Sequence, residues 1–178
     1  MAKRNNGKNN NWFIKVTFLA FFISLGFSFI SEITMPKVNI FVGIFILIMF
    51  IVIGIIFDMI GVAVTSTDEE PLNAMSAKKI KGAKKAVSFK KNADMVSSFC
   101  NDVIGDICGI MSGSTAVAIS NSIAKSLAVS PFLVTLIVTA MVASLTIGGK
   151  AMGKSIAINN STRILYYFSK VISIFTRS

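Results

Sequence analysis

Residues 38–57 read V-N-I-F-V-G-I-F-I-L-I-M-F-I-V-I-G-I-I-F, twenty positions without a charge and with Asn39 as the only strongly polar side chain. At a rise of about 1.5 Å per residue, a helix of that length crosses a hydrocarbon layer about 30 Å thick. Backbone inside lipid must satisfy its own hydrogen bonds, which makes an isolated apolar run of this kind helical. Phe132–Ile147 is a second uncharged run, somewhat short, so flanking residues must help it across. Trp12–Ile30 is a third. A basic segment precedes it, as in a signal peptide, but it is long and aromatic and no small-residue cleavage site follows. Ser31-Glu32 and Met35-Pro36-Lys37 read instead as a short loop into the next span, about Val38 to Val64. Met95–Leu127 makes another span, unusually polar. The chain is therefore expected to be an all-α polytopic membrane protein with about four transmembrane helices. Its composition agrees: 53% of residues are hydrophobic, with fifteen Phe against one Trp and two Tyr. Its length fits one domain.

The charges order the segments. Residues 1–11 are rich in Asn and Lys and read as a disordered tail. Residues 12–160 form the membrane domain, interrupted by a basic segment over 65–94. Thr67 with Glu70 three positions on reads as a capping box opening a helix that runs to about Lys79, with the acids at its positive end. Gly82 interrupts that helix. Between Lys78 and Lys91 lie seven lysines and no acid. Pro131 opens the last span, and Gly148-Gly149 are expected to break or bend it. From Ser161 to Ser178 the chain turns amphipathic. Arg163, Lys170 and Arg177 recur every seven residues, and Ile164, Leu165, Phe168, Val171, Ile172 and Phe175 lie opposite. That pattern fits a basic helix lying in the bilayer surface, or a helix packed on a partner domain. Four spans put the N-terminus, the 65–94 segment and the C-terminal tail on one side, leaving Lys37 and Lys125 on the other. The positive-inside rule makes the basic side cytoplasmic. This placement accounts for the net charge of +10, and no nucleic-acid partner is expected. The expected location is the plasma membrane of a bacterium, the inner one where there are two.

Histidine is absent, which excludes a Ser-His-Asp triad, an HExxH zinc site and a histidine proton relay. Cys100 and Cys108 sit eight apart on one expected helix and read as inert thiols. No nucleophile or base pattern accompanies the acids, so no enzymatic activity and no resident cofactor are expected.

Chemistry, where the sequence offers any, concentrates in Met95–Leu127. At 100° per residue, Ser98, Asn101, Asp102, Gly105, Asp106, Gly109, Ser112 and Gly113 share an arc of roughly 140°, with Val96, Phe99, Val103, Ile107 and Ile110 opposite. Gly105, Gly109 and Gly113 form a GxxxGxxxG ridge that admits another helix closely. Asp102 and Asp106 lie one turn apart on the same face. A charge at membrane depth costs at least about 2.5 kcal/mol on insertion scales, so two of them call for a reason. Counted from Asp94, they lie about 12 and 18 Å along the helix, and Asp58 on the second span should reach a similar depth. Two readings stand side by side. Asp58, Asp102 and Asp106 with Ser98 and Asn101 would suit a hydrated Mg²⁺, a hard ion that takes oxygen ligands and keeps several waters. The same aspartates would equally serve as structural ion-pair partners, with Lys150 at the inner end of the last span neutralising one of them.

Two patches give the chain a family resemblance. One is F-D-M-I-G-V-A-V-T-S from Phe57, followed by Leu72, Ala74 and the Gly82-Ala83 pair. The other is G-K-A-M-G-K-S-I-A-I-N-N-S-T-R-I from Gly149. In order and spacing they resemble F-S-G-A-E-T-A-L-T-S and G-E-I-x-P-K-x-I-A-x-x-N-x-x-R-I of the cyclin-M/CorC magnesium transporter membrane domain. Ala63, Thr65, Ser66, Lys154, Ile156, Ala157, Asn160, Arg163 and Ile164 fall on it. The resemblance covers roughly Val38 to Arg177, and Trp12–Ile30 is additional to the family's three spans. It implies a homodimer, an ion path in each membrane domain, and sodium-coupled export of Mg²⁺, with Co²⁺ as a second candidate ion. It also implies cytoplasmic nucleotide-binding CBS domains, for which a separate regulatory protein is the expected source. The departures fall on charges. The family's glutamates fall on Gly61 and Lys150, its proline on Gly153, and one of its serines on Asp58. Divalent-cation transport, Mg²⁺ first, is the leading expectation; a non-transporting membrane subunit or scaffold with structural ion pairs is the rival. Contact of Lys150 with the aspartates would favour the rival.

Overall fold

The computed structural model describes residues 6–34 and 39–175. Residues 1–5 of the expected tail, the Met35-Pro36-Lys37 loop and Arg177 lie outside them. The described elements are helices: α1 (Asn6–Thr34), α2 (Ile40–Ser66), α3 (Glu69–Ala77), α4 (Ala83–Lys91), α5 (Ala93–Ser98), a π-helical segment (Phe99–Gly105), α6 (Asp106–Leu127), α7 (Pro131–Asn159) and α8 (Ser161–Phe175). Ile40–Ser66, Ala93–Leu127 and Pro131–Asn159 are long and apolar enough to cross a membrane, and α1 carries a shorter apolar stretch, Val16–Phe29. The protein is an all-α membrane protein. α1 begins at Asn6, ahead of the Trp12 start read from the sequence.

By contact the chain divides into two compact units, Met1–Phe50 with Ile107–Val142, and Ile51–Asp106 with Ala143–Ser178. In the first, α2 approaches α6 where Gly43 faces Ile119: a Cβ on Gly43 would lie 3.1 Å from Ile119 Cγ1. Thr115, Ala116, Ile119 and Ser120 are buried on that stretch of α6. Ser120 Oγ donates to the Ala116 carbonyl at 2.7 Å, so its polarity is met inside its own helix. Phe18, Phe21, Phe22 and Phe29 of α1 are exposed.

The second unit holds the basic segment. Ile60 and Val64 at the end of α2, Leu72 of α3, Ala86 of α4, Cys100 and Leu165 of α8 form one buried cluster, with Phe89 and Phe168 packed against it. The two rings lie 5.7 Å apart between centroids. Much of the apolar face of α8 is therefore covered by α3 and α4 of the same chain, while Val171 and Ile174 stay exposed.

Two local expectations change. The capping box does not form. α3 starts at Glu69 with Asp68 before it and no side-chain cap. The buried Thr67 hydroxyl turns back to the Ala63 carbonyl at 2.6 Å, satisfying the end of α2 instead of the start of α3. Gly148-Gly149 do not break α7, which continues to Asn159. The interruption expected at Gly82 is present: α3 ends at Ala77, and α4 starts just after Gly82, whose φ of +87° is a left-handed conformation that an L side chain adopts with strain.

Candidate functional site: an aspartate–lysine pair beside a π segment

Asp58 comes from α2 and Lys150 from α7. Lys150 Nζ lies 3.7 Å from Asp58 Oδ1, with side chains 28% and 17% exposed respectively. This is the one ion pair found among the described residues. The glycines around Lys150 explain how it gets there. A Cβ on Gly149 would overlap Ile55 Cδ1, and one on Gly153 would lie 2.8 Å from Met59 Cγ. Two glycines one turn apart on α7 thus meet Ile55 and Met59, one turn apart on α2, and let the two helices approach closely. Asp58 and Lys150 stand beside those contacts. Gly149, read from the sequence as a breaker, is a packing residue, because in a close helix pair the missing side chain matters more than backbone freedom.

The π segment supplies the third wall. A π turn hydrogen-bonds i→i+5, and each extra residue rotates the downstream part of the helix by about 100° relative to an uninterrupted α-helix. The single polar arc read from 100° steps is therefore broken. Asn101 points at α2: a Cβ on Gly61 would overlap its Oδ1. Its Nδ2 donates to Ser97 Oγ at 3.5 Å, and its Oδ1 is buried without a hydrogen-bond partner. Gly105 is buried, and a Cβ there would lie 3.6 Å from Lys150 Nζ, so the ammonium sits against the π segment.

Of the expected site residues, Asp58 and Asn101 both face inward, Ser98 is half-buried, and Asp102 and Asp106 are exposed. Among the described residues no three His, Cys, Asp or Glu side chains lie close enough together to hold a metal ion, so the three aspartates do not converge. A cation there would need Asp58, the Asn101 carboxamide and water. Along the Gly105–Gly109–Gly113 ridge, a Cβ on Gly109 or Gly113 would meet nothing within 4 Å among the described residues, so no helix of the same chain is shown packed there. Sequence reading missed Ser97, the Gly61–Asn101 fit and the close packing at Gly149 and Gly153. The G-K-x-x-G spacing, two glycines one turn apart around a charge, is the signal that carried the last of these.

Comparison with protein-family models, with characterised proteins and with solved structures found no match.

Proposed function

We propose that this chain is a non-transporting membrane subunit, built on a plan resembling the cyclin-M/CorC membrane domain, in which Lys150 takes the place of a bound cation beside Asp58. The Nζ–Oδ1 contact at 3.7 Å carries this reading. The departures from the family pattern agree with it. Glutamate at positions 61 and 150 would make a doubly negative site; Gly61, Lys150 and Asp58 make a neutral one, which does not draw in a divalent cation. The outward aspartates Asp102 and Asp106 are left free to meet a partner or the aqueous side.

One observation favours divalent-cation transport as the second reading. The buried Asn101 Oδ1 has no donor, and an acceptor oxygen left so is an ordinary ligand for Mg²⁺ with its waters. In that reading Lys150 leaves Asp58 as the ion enters. Under both readings α1 is a fourth span, the 65–94 segment and both termini are cytoplasmic, the membrane is a bacterial plasma membrane and the protein is a homodimer. Ion flux into proteoliposomes under Mg²⁺, Co²⁺ and Na⁺ gradients tests the choice. The subunit reading expects flux no greater than from empty liposomes. Mg²⁺ flux abolished by Asp58→Asn would replace it with transport.

A further inference from the structure

We propose that the turn between α3 and α4, with the end of α8, forms a binding site for the phosphate-bearing headgroup of an anionic phospholipid. These elements line a cavity of about 620 Å³. Lys79, Lys81, Lys84 and Lys85 line it, with Ser173 of α8 and the exposed Ile80, and no acidic residue does. None of the four lysines has a carboxylate within 4 Å among the described residues. Four ammonium groups around one space repel one another, and an anion relieves that repulsion. The backbone turn that carries them is held in place. Gly82 sits so close to α8 that a Cβ would lie 2.9 Å from Lys170 Cα, which pins the turn against that helix. The first turn of α4 opens at the same place with no acidic residue, so the positive end of its dipole adds to the field.

The surroundings favour a lipid over a soluble phosphate. Ile80 lies among the lysines, and Ile174, next along α8 from Ser173, is 72% exposed. Charged and apolar surface meet at one rim, as an amphiphile requires. Lysines at a cytoplasmic membrane surface attract acidic lipids, each by roughly fivefold in affinity. The proposal rests on the membrane and topology reading above and on neither reading of Asp58.

Native mass spectrometry of the full chain released from nanodiscs tests it, using phosphatidylcholine with and without phosphatidylglycerol. We expect phosphatidylglycerol to be retained selectively. Combined Lys81→Gln, Lys84→Gln and Lys85→Gln should weaken retention about a hundredfold, and arginine at the same positions should preserve it. Lys154→Gln with Arg163→Gln, outside the cavity, should leave retention unchanged. Equal retention of the two lipids, or equal loss in the Lys154/Arg163 variant, would overturn the site. Displacement of phosphatidylglycerol by millimolar inorganic phosphate would overturn the lipid assignment in favour of a soluble phosphate. Failure of the chain to enter nanodiscs of either composition would overturn the membrane reading and the site with it.

Discussion

Gly61 has no side chain, and Asn101 uses the room. The carboxamide lies where a Cβ on residue 61 would stand, and its oxygen is buried without a donor. Both facts have measurable consequences. Gly61→Ala forces the Asn101 side chain off its position, and we expect a loss of about 1–3 kcal/mol, the usual cost of overpacking. Asn101→Ala removes the obstacle together with the unsatisfied oxygen, so the double variant should recover most of that loss. Thermal unfolding in detergent reads both. A Gly61→Ala protein as stable as the wild type would show that Asn101 does not occupy that space. Position 61 is also where the resembled family carries a glutamate. In this chain a neutral amide reaches the same place from another helix, so the polarity is kept and the charge is not.

At the scale of helices, glycine spacing decides which pairs come close. Gly149 and Gly153 face Ile55 and Met59 at distances that leave no room for a methyl group, whereas a Cβ on Gly109 would meet nothing within 4 Å among the described residues. Gly153→Ala should therefore destabilise the monomer by about 1–3 kcal/mol, and Gly109→Leu should leave its unfolding midpoint unchanged and act only on association between chains. Equal midpoints for the two variants would contradict this packing. The sequence revealed the long apolar helices, the interruption at Gly82 and the lysine-rich segment, because hydrophobic run length and a left-handed glycine are local properties. It did not reveal the π segment. Whether a helix takes an extra residue per turn depends on what Asn101 and Gly105 meet on neighbouring helices, and a wheel drawn at 100° cannot register that. The capping box failed for a related reason: Thr67 had two helix ends to choose from and bonded the one behind it. Asp58 and Lys150 were each legible as intramembrane charges, but their pairing depends on the approach of α2 and α7. A wheel drawn for a regular helix places Asp102 and Asp106 on the inward polar face, whereas both are exposed.

For the molecule in its membrane, the proposed orientation rests on the lysines. In the proposed topology, seven of them between Lys78 and Lys91 favour the cytoplasmic side for that segment. A cysteine at Ile80, which is exposed, should resist a membrane-impermeant thiol reagent in intact cells and react once the membrane is opened; reaction in intact cells would invert the topology. In the proposed reading Asp58 and Lys150 satisfy each other inside the membrane without a bound ion. Removing one partner leaves the other uncompensated at depth. We expect Asp58→Asn or Lys150→Met alone to cost about 2–3 kcal/mol, less than the loss for a fully buried pair because both side chains keep some exposure. The most direct measurement is the unfolding midpoint of the wild type, both single variants and the double variant, each with and without Mg²⁺. The internal pair predicts that each single variant falls, that the double variant regains much of the loss, and that Mg²⁺ moves the wild type not at all. A wild type that Mg²⁺ stabilises, with a rise lost in Asp58→Asn and no recovery in the double variant, would contradict it.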